Sequence, residues 1–159
     1  MAEIGDRDVR RRRVMAVCSG GGHWVEMRRL LPAFEGFDMT YVSTDPDPDA
    51  DLAGERYFCI RNFTRRNALV SIRVVAQLLR ILRQERPEVV ITTGAAPGLI
   101  ALALAKLMLR SRTIWIDSLA AAETMSLSGR MARPFADAWL TQWETLARPG
   151  GPEHWGSVL

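Results

Sequence analysis

Short apolar runs alternate with longer segments of helical periodicity along most of the chain. The apolar runs of strand length cover residues 14–18, 39–43, 57–60, 89–93, 113–116 and 137–142. The helical segments cover about residues 24–35, 66–86 and 98–109. Because continuously apolar strands alternate with helices, the pattern predicts an α/β fold, a Rossmann-like parallel sheet with helices on both faces.

The chain has 159 residues, enough for one domain with a substantial core. We expect residues 1–13 to form a flexible basic tail and residues 14–159 a single Rossmann-like domain. No apolar run reaches the roughly 18 residues of a spanning helix, and the charged N-terminus has no signal-peptide core. The sequence therefore predicts a cytoplasmic protein, or one that lies on a membrane without crossing it. Cys18 and Cys59 lie in apolar runs, so both are predicted to be small core residues.

A glycine-rich turn, Ser19-Gly-Gly-Gly-His23, separates the first apolar run from the first predicted helix. Glycines let the backbone turn sharply and approach a ligand closely. The free N–H groups of a first helical turn, together with the helix dipole, then favour an anion. The turn is neither a Walker loop nor a full dinucleotide fingerprint. It predicts a site for a phosphate-bearing molecule, although a simple strand-to-helix connection would use the same glycines.

A second turn of small residues follows the predicted strand 89–93, and Pro97 suits the first turn of the helix after it. The carboxyl ends of parallel strands share one edge of the sheet, where ligands bind in such folds. Two turns at that edge are a stronger indication than either alone, since each leaves backbone N–H groups open to a ligand. The candidate phosphate-binding residues are Ser19, Gly20, Gly21, Gly22, Thr93, Gly94 and Ala95.

Two side chains at the same predicted edge are candidates for proton transfer. His23 follows the first turn, where a neutral imidazole could accept a proton from a bound hydroxyl. Asp117 ends the strand 113–116, where it could accept a hydrogen bond from a sugar hydroxyl or orient a histidine. Each also has a structural interpretation: His23 as a helix-start residue and Asp117 as a helix cap or turn residue.

The predicted helix 66–86 carries an arginine stripe beside a wide apolar face. Arg66, Arg73 and Arg80 recur every seven residues and so share one side of a helix. The apolar arc is wider than one sheet contact requires, so we expect a second burial partner. That partner is either the headgroup region of an anionic membrane or another subunit. A deeply packed core helix with a solvated stripe is the alternative, and aromatic residues do not interleave as nucleic-acid binding would require.

With these features placed, the chain resembles the acceptor subunit of two-subunit UDP-sugar transferases, the asparagine-linked-glycosylation-fourteen type and its bacterial exopolysaccharide relatives. The resemblance runs in order over roughly residues 13–159. The matching stretches are Ser19–His23, Pro87–Ala95, Ile114–Ser118, Ser126–Arg130 with Pro134 and Ala136–Asp137, and Gln142–Trp143.

The resemblance implies the N-terminal half of a GT-B glycosyltransferase, on the cytoplasmic face of a membrane. The implied reaction moves a sugar from a UDP-sugar to a polyprenyl-diphosphate-linked saccharide in polysaccharide biosynthesis. The glycine turns would hold the acceptor diphosphate, with His23 as base and Asp117 as the weaker candidate. A separate donor-binding subunit would bind most of the UDP-sugar, the chain would be inactive without it, and neither cofactor nor metal is expected. The residues alone also allow a non-catalytic, Rossmann-like nucleotide- or anion-binding scaffold.

Overall fold

The sheet is built from six parallel strands, as the alternation of apolar runs predicts. The computed structural model describes residues 10–47, 52, 54–62 and 68–158. The spatial order of the strands is β3-β2-β1-β4-β5-β6, and every neighbouring pair is parallel. The strands are β1 (Arg13–Val17), β2 (Asp38–Ser43), β3 (Arg56–Cys59), β4 (Val89–Thr92), β5 (Arg112–Ile116) and β6 (Ala138–Leu140). The predicted Rossmann-like fold class is confirmed.

Strands β1 and β4 lie side by side at the centre, where the direction of the strand order reverses. The chain proceeds outward from β1 to β2 and β3, then returns to β4 and proceeds outward on the other side. Val14 is in register with Val89, and Val17 with Thr92, so the two strands end level with each other. A reversal of this kind opens a crevice beyond the carboxyl ends of the strands. Both glycine turns begin at that crevice.

Each predicted helix is present, but some of them begin or end at residues other than those predicted. They are α1 (Gly22–Arg29), α2 (Ala68–Glu85), α3 (Ala95–Leu104) and α4 (Leu127–Ala132). The prediction of one helix over 24–35 is wrong beyond Arg29. A separate 3-10 turn covers Leu31–Phe34, because Pro32 has no N–H to continue the α-helical ladder. Residue 13 belongs to β1, and residues 1–9 of the predicted tail lie outside the described residues.

Two further differences concern the segment after β4 and the segment after β5. Helix α3 begins at Ala95, three residues before the predicted start, and a π-helical turn continues it over Ala105–Leu109. Helix α4 was not predicted, because six residues are too few to show a helical period. The Ser126 hydroxyl starts α4 by accepting a hydrogen bond from the Gly129 N–H at 2.9 Å.

Alternate residues of the strands supply two separate apolar cores. Met15 and Val17 of β1 pack on one face of the sheet with residues of α2, α3 and α4. Val14 and Ala16 pack on the other face with residues of α1. This alternation follows from the two-residue repeat of a strand. The prediction that Cys59 is a core residue is wrong: its side chain is exposed, and β3 lies at the edge of the sheet.

Helix α2 buries one side and presents arginine on the other. Val74, Leu78, Ile81 and Leu82 are buried against the sheet and α3. The opposite side carries exposed Arg73, Arg80 and Arg83, with Ile72 65% exposed among them. Arg73 and Arg80 are thus both exposed on α2, whereas Arg66 lies outside the described residues, and the predicted membrane contact of this stripe stays a prediction. None of the helices within the described part of the chain is long and apolar enough to span a membrane.

Candidate functional site

His23 lies in the first turn of α1, where two hydrogen bonds tie it to the segment after β4. Its ring Nδ1 lies 3.0 Å from the carbonyl oxygen of Thr93. The Thr93 hydroxyl donates in return to the carbonyl oxygen of His23 at 2.8 Å. The turns after β1 and β4 are thus joined residue to residue, as their predicted position at one sheet edge requires.

The Thr93 contact determines which ring nitrogen carries the proton. A carbonyl oxygen can only accept a hydrogen bond, so Nδ1 of His23 is the donor. In the neutral imidazole, Nε2 then retains its lone pair. A ring held in this tautomer is prepared to accept a proton at Nε2, which is the arrangement a general base requires.

Gly94 lets the segment after β4 approach the imidazole closely. A Cβ placed at this position would lie 2.8 Å from Cε1 and 3.0 Å from Nδ1 of His23. Its backbone φ of +128° is also one that residues with a side chain rarely adopt. The next residue, Ala95, has a φ of +65°, a left-handed conformation uncommon outside glycine. Backbone strain of this kind, next to a histidine, is typical of a functional site.

The predicted phosphate cradle is only partly open. The Gly20 N–H donates to the Thr44 hydroxyl at 2.8 Å, and the Gly94 N–H donates to the Thr92 hydroxyl at 3.1 Å. Gly21 and Gly22 are exposed, and a Cβ on either would meet nothing within 4 Å. The donors left open at the start of α1 are therefore the N–H groups of Gly22 and His23, because those of Trp24 and Val25 donate to the carbonyl oxygen of Gly21.

A cavity of about 700 Å³ lies at the opposite edge of the sheet, whereas a cavity of about 630 Å³ adjoins His23. His23 forms one wall of the second cavity. The other wall is the segment from Ser118 to Leu127, together with Arg130. Its size is that of a small-ligand site. The cavity therefore places an arginine and a histidine around one space, and His23 is the residue of the glycine-rich turn that lines it.

Asp117 lies at the predicted sheet edge, but its carboxylate is turned into the protein. The residue is 1% exposed. Its Oδ1 accepts hydrogen bonds from the Ser126 hydroxyl at 2.6 Å and from the Trp115 indole at 3.2 Å, and its Oδ2 accepts one from the Ser126 N–H at 2.7 Å. A Cβ on Gly129 would lie 2.7 Å from Oδ1, so the glycine lets α4 pack against the carboxylate. These contacts position α4 and the cavity wall.

Sequence reasoning missed Glu26, which is 7% exposed on α1. Its Oε1 accepts hydrogen bonds from the Ser118 hydroxyl at 2.7 Å and from the Leu119 N–H at 3.1 Å. The spacing could have indicated that Glu26 lies near the site, because it is three residues after His23 and so shares its side of the helix. A single acidic residue in a predicted amphipathic helix is usually on the solvated face, so the spacing alone did not indicate burial.

Cys18, directly before the glycine turn, is not available as a nucleophile. Burial raises the pKa of its thiol to about 12, and it therefore remains protonated at neutral pH. In the described ranges, no group of three or more His, Cys, Asp or Glu side chains is placed to hold a metal ion. The cavity is lined by two side chains that can accept a proton, His23 and Glu123, and His23 is the one whose ring nitrogens are assigned by a hydrogen bond.

We expect Asp117→Asn to destabilise the fold by about 2–3 kcal/mol, because an amide group replaces an acceptor oxygen opposite a buried donor. Ser126→Ala removes one of the three bonds and also the cap of α4, and should cost about 2 kcal/mol. Urea denaturation of the purified variants measures both values. Equal stability of Asp117→Asn and the wild type would show that these bonds contribute nothing to the fold.

The parallel sheet, its strand reversal and the glycine turns at the reversal define the class: a Rossmann-like α/β domain. MurG of Acinetobacter baumannii has this fold, with a TM-score of 0.71 and 12% identity over 93% of this chain and 46% of that one. The family model for "Oligosaccharide biosynthesis protein Alg14 like" matches residues 56–158. The chain belongs to the Alg14-like family.

Two relatives carry the same printed name, "UDP-N-acetylglucosamine transferase subunit ALG14". The protein of Eremothecium gossypii is 32% identical over 100 residues, which cover 56% of this chain and 45% of that protein. The protein of Yarrowia lipolytica is 26% identical over 163 residues, which cover 85% of this chain and 75% of that protein. The chain thus spans less than half of the Eremothecium protein and of MurG.

Proposed function

We propose that this protein is the acceptor-binding subunit of a bipartite UDP-sugar glycosyltransferase. The proposal rests on His23, whose ring is held in one tautomer by its hydrogen bond to Thr93. The same ring lines a cavity at the strand reversal, beside the open amides of α1. Membership of the Alg14-like family supports the reaction class. The acceptor would be a saccharide linked through a diphosphate to a polyprenyl lipid.

In the proposed reaction, the N–H groups of Gly22 and His23 at the start of α1 hold the acceptor diphosphate, and the cavity holds its sugar. Nε2 of His23 takes the proton of the acceptor hydroxyl as its oxygen attacks the anomeric carbon of the donor. The new glycosidic C–O bond forms as the bond from that carbon to the UDP phosphate breaks, and UDP leaves with the electron pair. Attack from the side opposite UDP inverts the anomeric centre, and His23 later releases the proton to water.

Asp117 takes a positioning role in this proposal. Its oxygens are occupied by Ser126 and Trp115, so it holds the cavity wall rather than receiving the proton. Arg130, which lines the cavity, is suited to bind one of the acceptor phosphates. Gly20 and Gly94 shape the turns, whereas Gly21 and Gly22 provide donors.

The name of the relatives supports a donor-binding partner, because each is named as a subunit of a UDP-N-acetylglucosamine transferase. We propose that a separate polypeptide binds the UDP-sugar and that UDP-N-acetylglucosamine, the donor in the relatives' names, is the first donor to test.

The exposed face of α2 is the proposed contact with an anionic membrane on the cytoplasmic side. Replacing Arg66, Arg73 and Arg80 with glutamine should weaken binding to anionic vesicles and leave binding to neutral vesicles unchanged. Each arginine near such a surface contributes about 1 kcal/mol, and salt screens the attraction. Vesicle co-sedimentation at low and high salt measures the effect. An equal loss on replacing Arg10, Arg11 and Arg12, the same change of charge outside α2, would contradict this contact.

The experiment that tests the proposed function is reconstitution. The chain is co-purified with a donor-binding partner and assayed with UDP-N-acetylglucosamine and a short polyprenyl-diphosphate saccharide. Transfer by the complex, with none by either polypeptide alone, is the expected result. Transfer by this chain alone would overturn the bipartite proposal, and a stable complex that transfers none of a panel of UDP-sugars would favour a scaffold.

A further inference from the structure

The buried carboxylate of Glu26 connects the helix of His23 to the opposite wall of the cavity. Both bonds to its Oε1 come from the start of that wall, at Ser118 and Leu119. Its Oε2 lies 3.4 Å from the amide nitrogen of Gln142. Glu26 therefore spans from α1 to the residues that follow β5 and β6.

The cavity wall, residues 118–126, is held at both of its ends by a buried carboxylate. Glu26 holds the beginning of the wall, and Asp117 holds its end through Ser126. Gln142 links the two anchors, because its amide also donates to the carbonyl oxygen of Asp117 at 2.9 Å. Between the anchors the wall has no helix or strand, and residues 122–124 are exposed. Its distance from His23 therefore depends on these anchors and on Trp143, whose indole N–H donates to the carbonyl oxygen of Leu119 at 2.9 Å.

We propose that Glu26 is a positioning residue that fixes the wall 118–126 relative to His23 and so sets the width of the cavity. The consequence for catalysis rests on the function proposed above, whereas the anchoring itself does not. His23 has its own attachment to Thr93, independent of Glu26. Loss of the Glu26 carboxylate should therefore weaken acceptor binding strongly and slow the proton transfer only slightly.

Glu26→Gln tests the proposal, because it keeps the shape of the side chain and removes the charge that strengthens both bonds to the wall. Glu35→Gln is the matched control, since Glu35 is exposed at the end of the 3-10 turn. Hydrogen–deuterium exchange of the purified chain should show several-fold faster exchange over 118–126 in Glu26→Gln, with β1 unchanged. In the reconstituted complex the KM for the acceptor should rise about tenfold, equivalent to one lost hydrogen bond. The kcat and the KM for the donor should change less than about twofold.

Each outcome decides the proposal. Unchanged exchange over 118–126 overturns the anchoring, whatever the turnover. Faster exchange with an unchanged acceptor KM overturns the positioning role. If Glu26→Gln does not fold, Ser118→Ala removes the shorter bond to Glu26 together with the bond that the Ser118 hydroxyl accepts from the Ala120 N–H. With Ala120 left out of the exchange comparison, this variant should give a smaller effect in the same direction on both measurements. If the wild-type complex transfers no sugar, the proposed function fails, and the exchange result alone then decides whether Glu26 anchors the wall.

Discussion

His23→Ala should lower the turnover of the assembled complex by about 10²–10⁴-fold, the usual contribution of a general base. The ring is held by Thr93 with its proton on Nδ1, so alanine removes the proposed base and leaves the wall 118–126 in place. The loss should appear in kcat, because in the proposed reaction the acceptor is held mainly by backbone amides and by that wall. Steady-state kinetics of the reconstituted complex measures the effect.

The protein provides a matched control in His154, the other histidine of the chain. It lies in the C-terminal segment and is not among the residues that line the cavity beside His23. His154→Ala should leave turnover within about twofold of the wild type. A His23→Ala complex with near-wild-type turnover would limit His23 to its structural contacts with Thr93.

Gly94→Ala is expected to lower turnover by about 10²-fold, because a new methyl group would collide with the imidazole at 2.8 Å. A displacement of about 1 Å in a catalytic group is enough for a loss of this size. Alanine must also adopt a φ of +128° at this position, which should destabilise the fold by about 1–3 kcal/mol. Turnover and urea denaturation of the same variant measure both effects.

A Gly36→Ala variant distinguishes the effect of backbone strain from that of a steric collision with His23. Gly36 also has a positive φ, +85°, but a Cβ there would meet nothing within 4 Å. Gly36→Ala should therefore destabilise the fold by a similar amount without a comparable loss of turnover. If both glycine variants retain wild-type turnover, the close approach of Gly94 to His23 does not matter for the reaction.

The parallel sheet was predictable because its strands are continuous apolar runs, whose signal does not depend on the details of packing. The helix ends were less predictable. Pro32 divides a periodic segment that the apolar pattern alone presents as one helix, and α4 depends on the Ser126 cap rather than on periodicity. Local pattern determines which element forms, whereas caps and breaks determine where it ends.

The sequence predicted which strand ends and turns lie at the candidate site, because chain order and strand direction determine which residues reach that edge of the sheet. Because β1 and β4 are parallel and adjacent, their two turns had to meet, and His23 does contact Thr93. The direction in which a side chain points was not predictable. Asp117 lies at the expected edge but points inward to Ser126, and Glu26 lies on a predicted amphipathic helix but is buried. Both outcomes depend on long-range partners that no local pattern contains.

The central pairing of β1 with β4 also governs when the site can form during folding. The two bonds between His23 and Thr93 join residues 70 positions apart, so neither can form until the intervening chain has been closed into the sheet. Contacts of such long range form slowly compared with local helices. The environment of the His23 ring is consequently a reporter of the last stages of folding. Its NMR signals should acquire their native positions only when the two halves of the sheet have joined.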